Sequence, residues 1–275
     1  MPTFDKIGYW SEIKLDIIRE YASAYSKILT SKGLYHLYID AFAGAGQHVS
    51  TRTGAIKPGS PLNALSADPP FQEYHFIELN SRKASSLREI TAGYPDVLVY
   101  EGDCNKILVE KIFPKARWED FRRALVLLDP YGLHLNWKVI ETAGRMRSVE
   151  LFLNFPVGMD MNRNVLWHNP DKVPPKAIAR LNTYWGDGSW RNIAYTTQSS
   201  FLEEPAEIKG TNADVVHGFR NRLQEVAGFK HVPDPIPMRN EQGAVIYYLF
   251  FAAQQPVAEN IVRQIFEKYR NRGLH

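Results

Sequence analysis

Strand-like and helix-like segments alternate along the first 156 residues, and that alternation constrains the fold more than any other feature. Apolar runs fall at 35–40 (YHLYID), 73–79 (EYHFIEL), 96–103 (DVLVYEGD), 123–132 (RALVLLDPYG, strand ending at Asp129) and 149–156 (VELFLNFP). Helix-period segments at 60–67, 81–90 and 137–146 separate them, and an amphipathic helix over 10–30 precedes them, with Ile13, Ile17, Tyr21, Ala24 and Ile28 in step. Short runs that are apolar almost throughout suit parallel strands covered by helices on both faces. The polar stretch 47–59 reads as a loop.

The rhythm breaks after Pro156. Residues 157–210 read as an insertion, a possible substrate or partner surface, and 211–229 as a helix. A polar turn at 239–243 leads into the apolar run 244–252, which predicts a hairpin whose second strand is antiparallel to the sheet, and a helix over 257–270 closes the chain. The expected fold is α/β and Rossmann-like: a mostly parallel seven-stranded sheet with a C-terminal antiparallel hairpin strand, the order of a class I methyltransferase. An N-terminal helix (1–34) precedes a core formed by 35–156 and 211–275.

Composition narrows the setting. No apolar run approaches the ~20 residues of a membrane span, and the N-terminus has no signal-peptide pattern. A lone cysteine, Cys104, excludes an internal disulfide framework and a Cys-rich zinc site. Eight histidines without ligand spacing argue against a catalytic metal. A cytoplasmic protein is the default, and a net charge of +3 neither identifies nor repels a nucleic-acid partner.

In an open α/β sheet, ligands bind beyond the carboxyl ends of the strands. Here the first strand delivers Asp40 and the turn Ala41-Phe42-Ala43-Gly44-Ala45-Gly46, whose small residues let backbone N–H groups approach a ligand. The second ends in Glu78-Leu79, the third in Asp103-Cys104, the fourth in Asp129-Pro130-Tyr131-Gly132. Glu78 is placed to hold both hydroxyls of a ribose, Asp103 to accept from an adenine amino group, and Asp40 to meet a methionyl ammonium. That set fits S-adenosylmethionine better than NAD, which favours G-x-G-x-x-G before a helix and an acid ~20 residues on. Position 49 is valine, and Asp40 and Glu78 are 78 − 40 = 38 residues apart.

"DAFAGAG" (40–46) resembles the first motif of nucleic-acid methyltransferases. The chain is similar over nearly its full length to three-Cys-motif partner proteins, through "YIDAFAGAG", "GSPLNAL", "FIELN", "LLDPYG", "NFPVGMDMNRN" and "YYLFFAAQQP". The resemblance implies a class I methyltransferase fold, S-adenosylmethionine as cofactor and a three-cysteine, radical-SAM-like protein as partner. Asp129-Pro130-Tyr131-Gly132 has one proline where amino-methyltransferases of nucleic acids commonly have two. It is similar to the Asp-Pro-Phe-Gly of tRNA guanine-N2 dimethyltransferases, which implies that Asp129 orients an exocyclic amine and Tyr131 stacks on the base. Cys104, beside the adenine position, does not suit a cytosine-C5 nucleophile. Arg163 and Asn164, just after the fifth strand, are candidate substrate contacts. Trp185 and Trp190 read as a satellite core under the insertion. Two functions lead, methylation of a base amine or a catalytically weak or inactive scaffold serving the three-cysteine protein; a small-molecule methyltransferase is third and dehydrogenase chemistry fourth.

Overall fold

The computed structural model describes residues 4–198 and 206–270. Seven strands form the central sheet: β1 (Tyr35–Asp40), β2 (Glu73–Glu78), β3 (Val97–Glu101), β4 (Arg122–Leu128), β5 (Val149–Phe155), β6 (Ile236–Arg239) and β7 (Val245–Ala252). Their spatial order is β6-β7-β5-β4-β1-β2-β3. β1 to β5 pair in parallel, and β7 runs antiparallel to both β5 and β6. This is the class I methyltransferase fold that the segment order predicts, with the hairpin as its antiparallel element.

Period-two alternation sorts the strand side chains onto two cores. Leu37, Ile39, Val126 and Leu128 join one apolar cluster, while Tyr38, Leu125 and Leu127 join the other. Helices α1 (Tyr9–Ser31) and α8 (Pro256–Arg270) cover the second face through Ile17, Ile18, Tyr21, Val262 and Phe266. The same cluster takes in Ala64 of α2 (Ser60–Leu65) and Leu87 of α3 (Ser81–Ile90). On the opposite face lie α4 (Cys104–Ile107), α5 (Trp137–Met146), α6 (Pro175–Trp185) and α7 (Asn212–Glu225). Thr211 and Asp214 close a capping box at the start of α7, so that helix needs no tertiary contact to define where it begins.

Two expectations need correction. The stretch 47–59 is not a plain loop: Gln47–Ser50 and Ile56–Pro58 form a hairpin, and Asp5–Ile7 adds to it in parallel. Strands of three or four residues are too short for alternation to register. Trp185 and Trp190 also form no satellite core. Leu181, Tyr184, Trp185 and Trp190 belong to the same apolar cluster as Leu153 and Phe155, and Trp185 is 1% exposed. Part of the expected insertion, 199–205, lies outside the described residues. No described helix is long and apolar enough to cross a membrane.

Candidate active site

The sheet order reverses between β1 and β4, so the crevice beyond their carboxyl ends is where this architecture takes a ligand. Two adjoining cavities lie there. The first, about 960 Å³, includes Glu78, Leu79, Asp103 and Cys104 in its lining. The second, about 550 Å³, includes Lys14, Gly44, Asp129, Asn154 and Tyr247. Phe42, Tyr131, His134 and Arg180 line both and form their common wall.

The glycine turn joins the two. Phe42 N–H donates to Asp40 Oδ1 at 3.1 Å, and Gly44 N–H donates to Glu78 Oε2 at 2.9 Å. Gly44 has φ +64, a conformation that L side chains rarely adopt. Gly46, at φ +83, serves packing as well. A Cβ there would meet Leu87 Cδ1 at 3.0 Å, and the residue lines neither cavity.

Asp40 is fully buried and lines neither cavity; Ala41 and Phe42 face the first in its place. Its Oδ2 makes no hydrogen bond among the described residues. Burial pushes the carboxyl up to about 7, against the pull of Ser60 and the Phe42 amide.

Among the described residues, only backbone N–H groups hold Glu78. Besides the Gly44 amide, Asn80 N–H donates to Oε1 at 2.7 Å. Each oxygen keeps a lone pair for a ligand. Asp103 caps α4, accepting Asn105 N–H on Oδ1 at 2.9 Å. Leu79 is 73% exposed, an apolar side chain left on the cavity wall. Burial, then the Asp103 charge, pushes the Cys104 thiol up to about 12, so it is a neutral wall residue and not a nucleophile.

Asp129 follows β4 and is bound on both oxygens. Asn154 Nδ2 donates to Oδ1 at 2.8 Å, and Lys14 Nζ pairs with Oδ2. Lys14 is only 6% exposed. Burial pulls its ammonium down, but Asp129, Tyr247 and Asp40 outweigh that and hold it above the ordinary lysine range. Its Nζ also lies 5.5 Å from the centre of the Tyr247 ring. Tyr131 is 69% exposed, and its hydroxyl donates to Asp5 Oδ2 at 3.2 Å. Lys83 pairs with the same oxygen at 2.6 Å.

Asp160 anchors the Pro130–Leu133 loop. It accepts Leu133 N–H at 2.8 Å, pairs with Arg180 at 3.1 Å and accepts from the Asn164 amide. Gly132, at φ +63, has no room for a Cβ against Asp160. Asn164 therefore supports the loop from outside and lines neither cavity. Arg163 is exposed and also lines neither.

The structure thus gathers Phe42, Gly44, Glu78, Leu79, Asp103, Cys104, Asp129, Pro130 and Tyr131 around the two cavities. It adds Lys14, Asn154, Asp160, Arg180 and Tyr247, which the motifs did not single out as site residues. A signal existed for Lys14: with Ile17, Ile18, Tyr21 and Tyr25 it occupies one helix face, and all five are buried. Among the described residues, no group of His, Cys, Asp and Glu is arranged to hold a metal.

No family model and no curated protein matches the chain in sequence. Among solved structures it is similar to protein LPL1258 from Legionella pneumophila, with 12% identity, TM-score 0.56, and coverage of 94% of this chain and 91% of that one. A putative S-adenosylmethionine-dependent methyltransferase from Listeria monocytogenes aligns with 14% identity and TM-score 0.44, over 86% of this chain and 99% of that one. At 12% identity the Legionella likeness is one of fold.

Proposed function

We propose that the chain is an S-adenosylmethionine-dependent methyltransferase acting on an exocyclic amine of a nucleic-acid base. The observation that carries this reading is the pair of cavities at the switch point, one lined by hydroxyl-accepting carboxylates and the other by Asp129, with Tyr131 between them.

The donor set of the first cavity suits this cofactor. Glu78 presents both oxygens, each oriented by one backbone amide, for a ribose diol. Leu79 and Cys104 supply apolar wall for a purine, and Asp103 a carboxylate beside it. A dinucleotide suits it less: the glycine turn runs into the strand Gln47–Ser50, so no helix N-terminus follows it to receive a pyrophosphate. When bound, S-adenosylmethionine supplies a methyl group on a sulfonium. Asp129 accepts the N–H of the acceptor amine and strengthens that bond as the nitrogen gains positive charge. The exposed Tyr131 ring offers a stacking face for an unstacked base.

A second reading has its own support. Asp129 already holds Lys14 and Asn154, as befits a site that keeps the cofactor pocket but turns over slowly. This matches the scaffold role implied by the likeness to three-Cys-motif partners. Transfer of a labelled methyl group by the purified chain to total RNA and DNA separates the two. Labelling that disappears in Asp129→Ala supports the enzyme. Cofactor binding without labelling, together with co-purification of a three-cysteine protein, supports the scaffold.

A further inference from the structure

The second cavity holds no unbalanced negative charge. Its lining carboxylates are Asp5, Asp129 and Asp160. Each is neutralised from a different helix: Asp5 by Lys83 of α3, Asp129 by Lys14 of α1, Asp160 by Arg180 of α6. Lys6 lines the same space. His48, also in the lining, is held below its ordinary value by burial and by Lys14 and is neutral at pH 7. The first cavity differs, since among the described residues neither Glu78 nor Asp103 forms an ion pair; both are held by N–H groups.

We propose that the second cavity selects an uncharged amine and rejects an alkylammonium, with Lys14 setting the selectivity by neutralising Asp129. This rests on the methyltransferase reading, which makes this cavity the acceptor site. An ammonium has no lone pair to receive a methyl group. A bare carboxylate at a strand end would nonetheless collect ammonium ions such as polyamines or lysine side chains, all unreactive occupants. The Lys14–Asp129 pair removes the net attraction and keeps the hydrogen-bond acceptance, which an aryl amine needs and an ammonium cannot exploit against a neighbouring cation. Lys14 decides the matter because its side chain is 8% exposed, against 24% for Lys83 and 40% for Arg180. Solvent screens the cations of the other two pairs more than it screens Lys14, whose partner Asp129 keeps 28% of its side chain exposed toward the cavity.

The test is an NMR titration of the full chain with n-butylammonium and, separately, adenosine 5′-monophosphate, on wild type, Lys14→Met and Lys14→Arg, each with and without S-adenosylhomocysteine. Wild type is expected to take the nucleotide into the second cavity and to show no shifts there with butylammonium at tenfold higher concentration. Lys14→Met should gain about tenfold or more in butylammonium affinity, the scale of one uncompensated charge in a partly buried site. Lys14→Arg should behave as wild type. Wild type binding butylammonium as well as the nucleotide overturns the proposal, as does a folded Lys14→Met that still excludes it. If Lys14→Met does not fold, Asp129→Asn serves: it keeps the cation without the anion, and a rise in butylammonium affinity there is equally fatal. Failure of S-adenosylhomocysteine to bind wild type strikes the methyltransferase reading instead, and the titrations without it still read the cavity's charge selectivity.

Discussion

Glu78 and Asp129 stand at the carboxyl ends of the two strands that flank β1 in one sheet, yet they are held in opposite ways. Glu78 accepts two backbone amides and keeps its charge on offer to a ligand. Asp129 accepts a side-chain amide and a buried ammonium, so its charge is cancelled while its lone pairs remain. Backbone N–H groups hold a carboxylate in place and leave its net charge; a cation holds it and removes that charge. Asp40 lies between them, accepting the Phe42 amide, and burial drives it up to about 7. Two adjacent sites of different electrostatic character are thus built from carboxylates at equivalent strand ends.

The largest expected effect is on Asp40. Its folded pKa of about 7 lies above the ordinary 3.8, so the folded chain holds this proton more tightly than the unfolded chain. The stability linked to that proton is fully present below about pH 4 and is lost as pH rises through about 7, on the order of 4 kcal/mol in total. Asp40→Asn can keep the bond from Phe42 and should flatten that part of the profile. Urea unfolding at pH 5 and pH 8 measures it. A variant with the wild-type slope would mean that Asp40 is ionised in a satisfied site, and the three-way contrast would collapse.

Next comes Glu78→Ala, which strips the first cavity of its amide-held carboxylate. Calorimetric affinity for S-adenosylhomocysteine should fall by about 1–3 kcal/mol, the scale of a charge-assisted hydrogen bond. NAD should bind neither protein. Unchanged affinity in the variant removes Glu78 from the cofactor site.

Much of this was legible in the sequence, for a physical reason. Parallel strands buried on both faces leave long apolar runs, so the polar residue that ends each run stands out, as Asp40, Glu78, Asp103 and Asp129 do. What escaped is what no run marks. Asp5–Ile7 has three residues and exists as a strand only because Gln47–Ser50 lies beside it. Asp160 ends no apolar run, yet it is 8% exposed and binds the Leu133 amide, a contact across 27 residues of sequence. Lys14 was hidden by the convention that lysine marks the wet face of a helix. Its spacing to Ile17, Ile18 and Tyr21 said otherwise. Asp40 reads as a ligand contact because a strand-end acid usually reaches the crevice; here it is fully buried and lines neither cavity.

A smaller effect should follow from Gly132→Ala, which probes the loop carrying Pro130 and Tyr131. At φ +63 a side chain is strained by about 1–2 kcal/mol before any clash with Asp160 is counted. The chemical-denaturation midpoint should drop accordingly. Because the loop borders the second cavity more than the first, nucleotide binding should weaken while S-adenosylhomocysteine binding changes little. Equal losses of both would show that the common wall makes the two cavities a single unit.

The smallest expected effect separates two arginines. Arg163 is exposed and away from both cavities, and its backbone carbonyl, not its guanidinium, accepts the Trp167 indole N–H at 2.8 Å. Arg163→Ala should change stability by no more than about 0.5 kcal/mol and leave cofactor affinity unchanged. It can still weaken binding to a long RNA or DNA through a phosphate contact, with a shallower salt dependence as the sign. Arg180→Ala acts at the common wall and frees Asp160, so it should also weaken binding of a mononucleotide, which is too short to reach Arg163. If Arg163→Ala impairs the mononucleotide as much as the long strand, the acceptor site extends beyond the second cavity and its boundary has to be redrawn around the insertion.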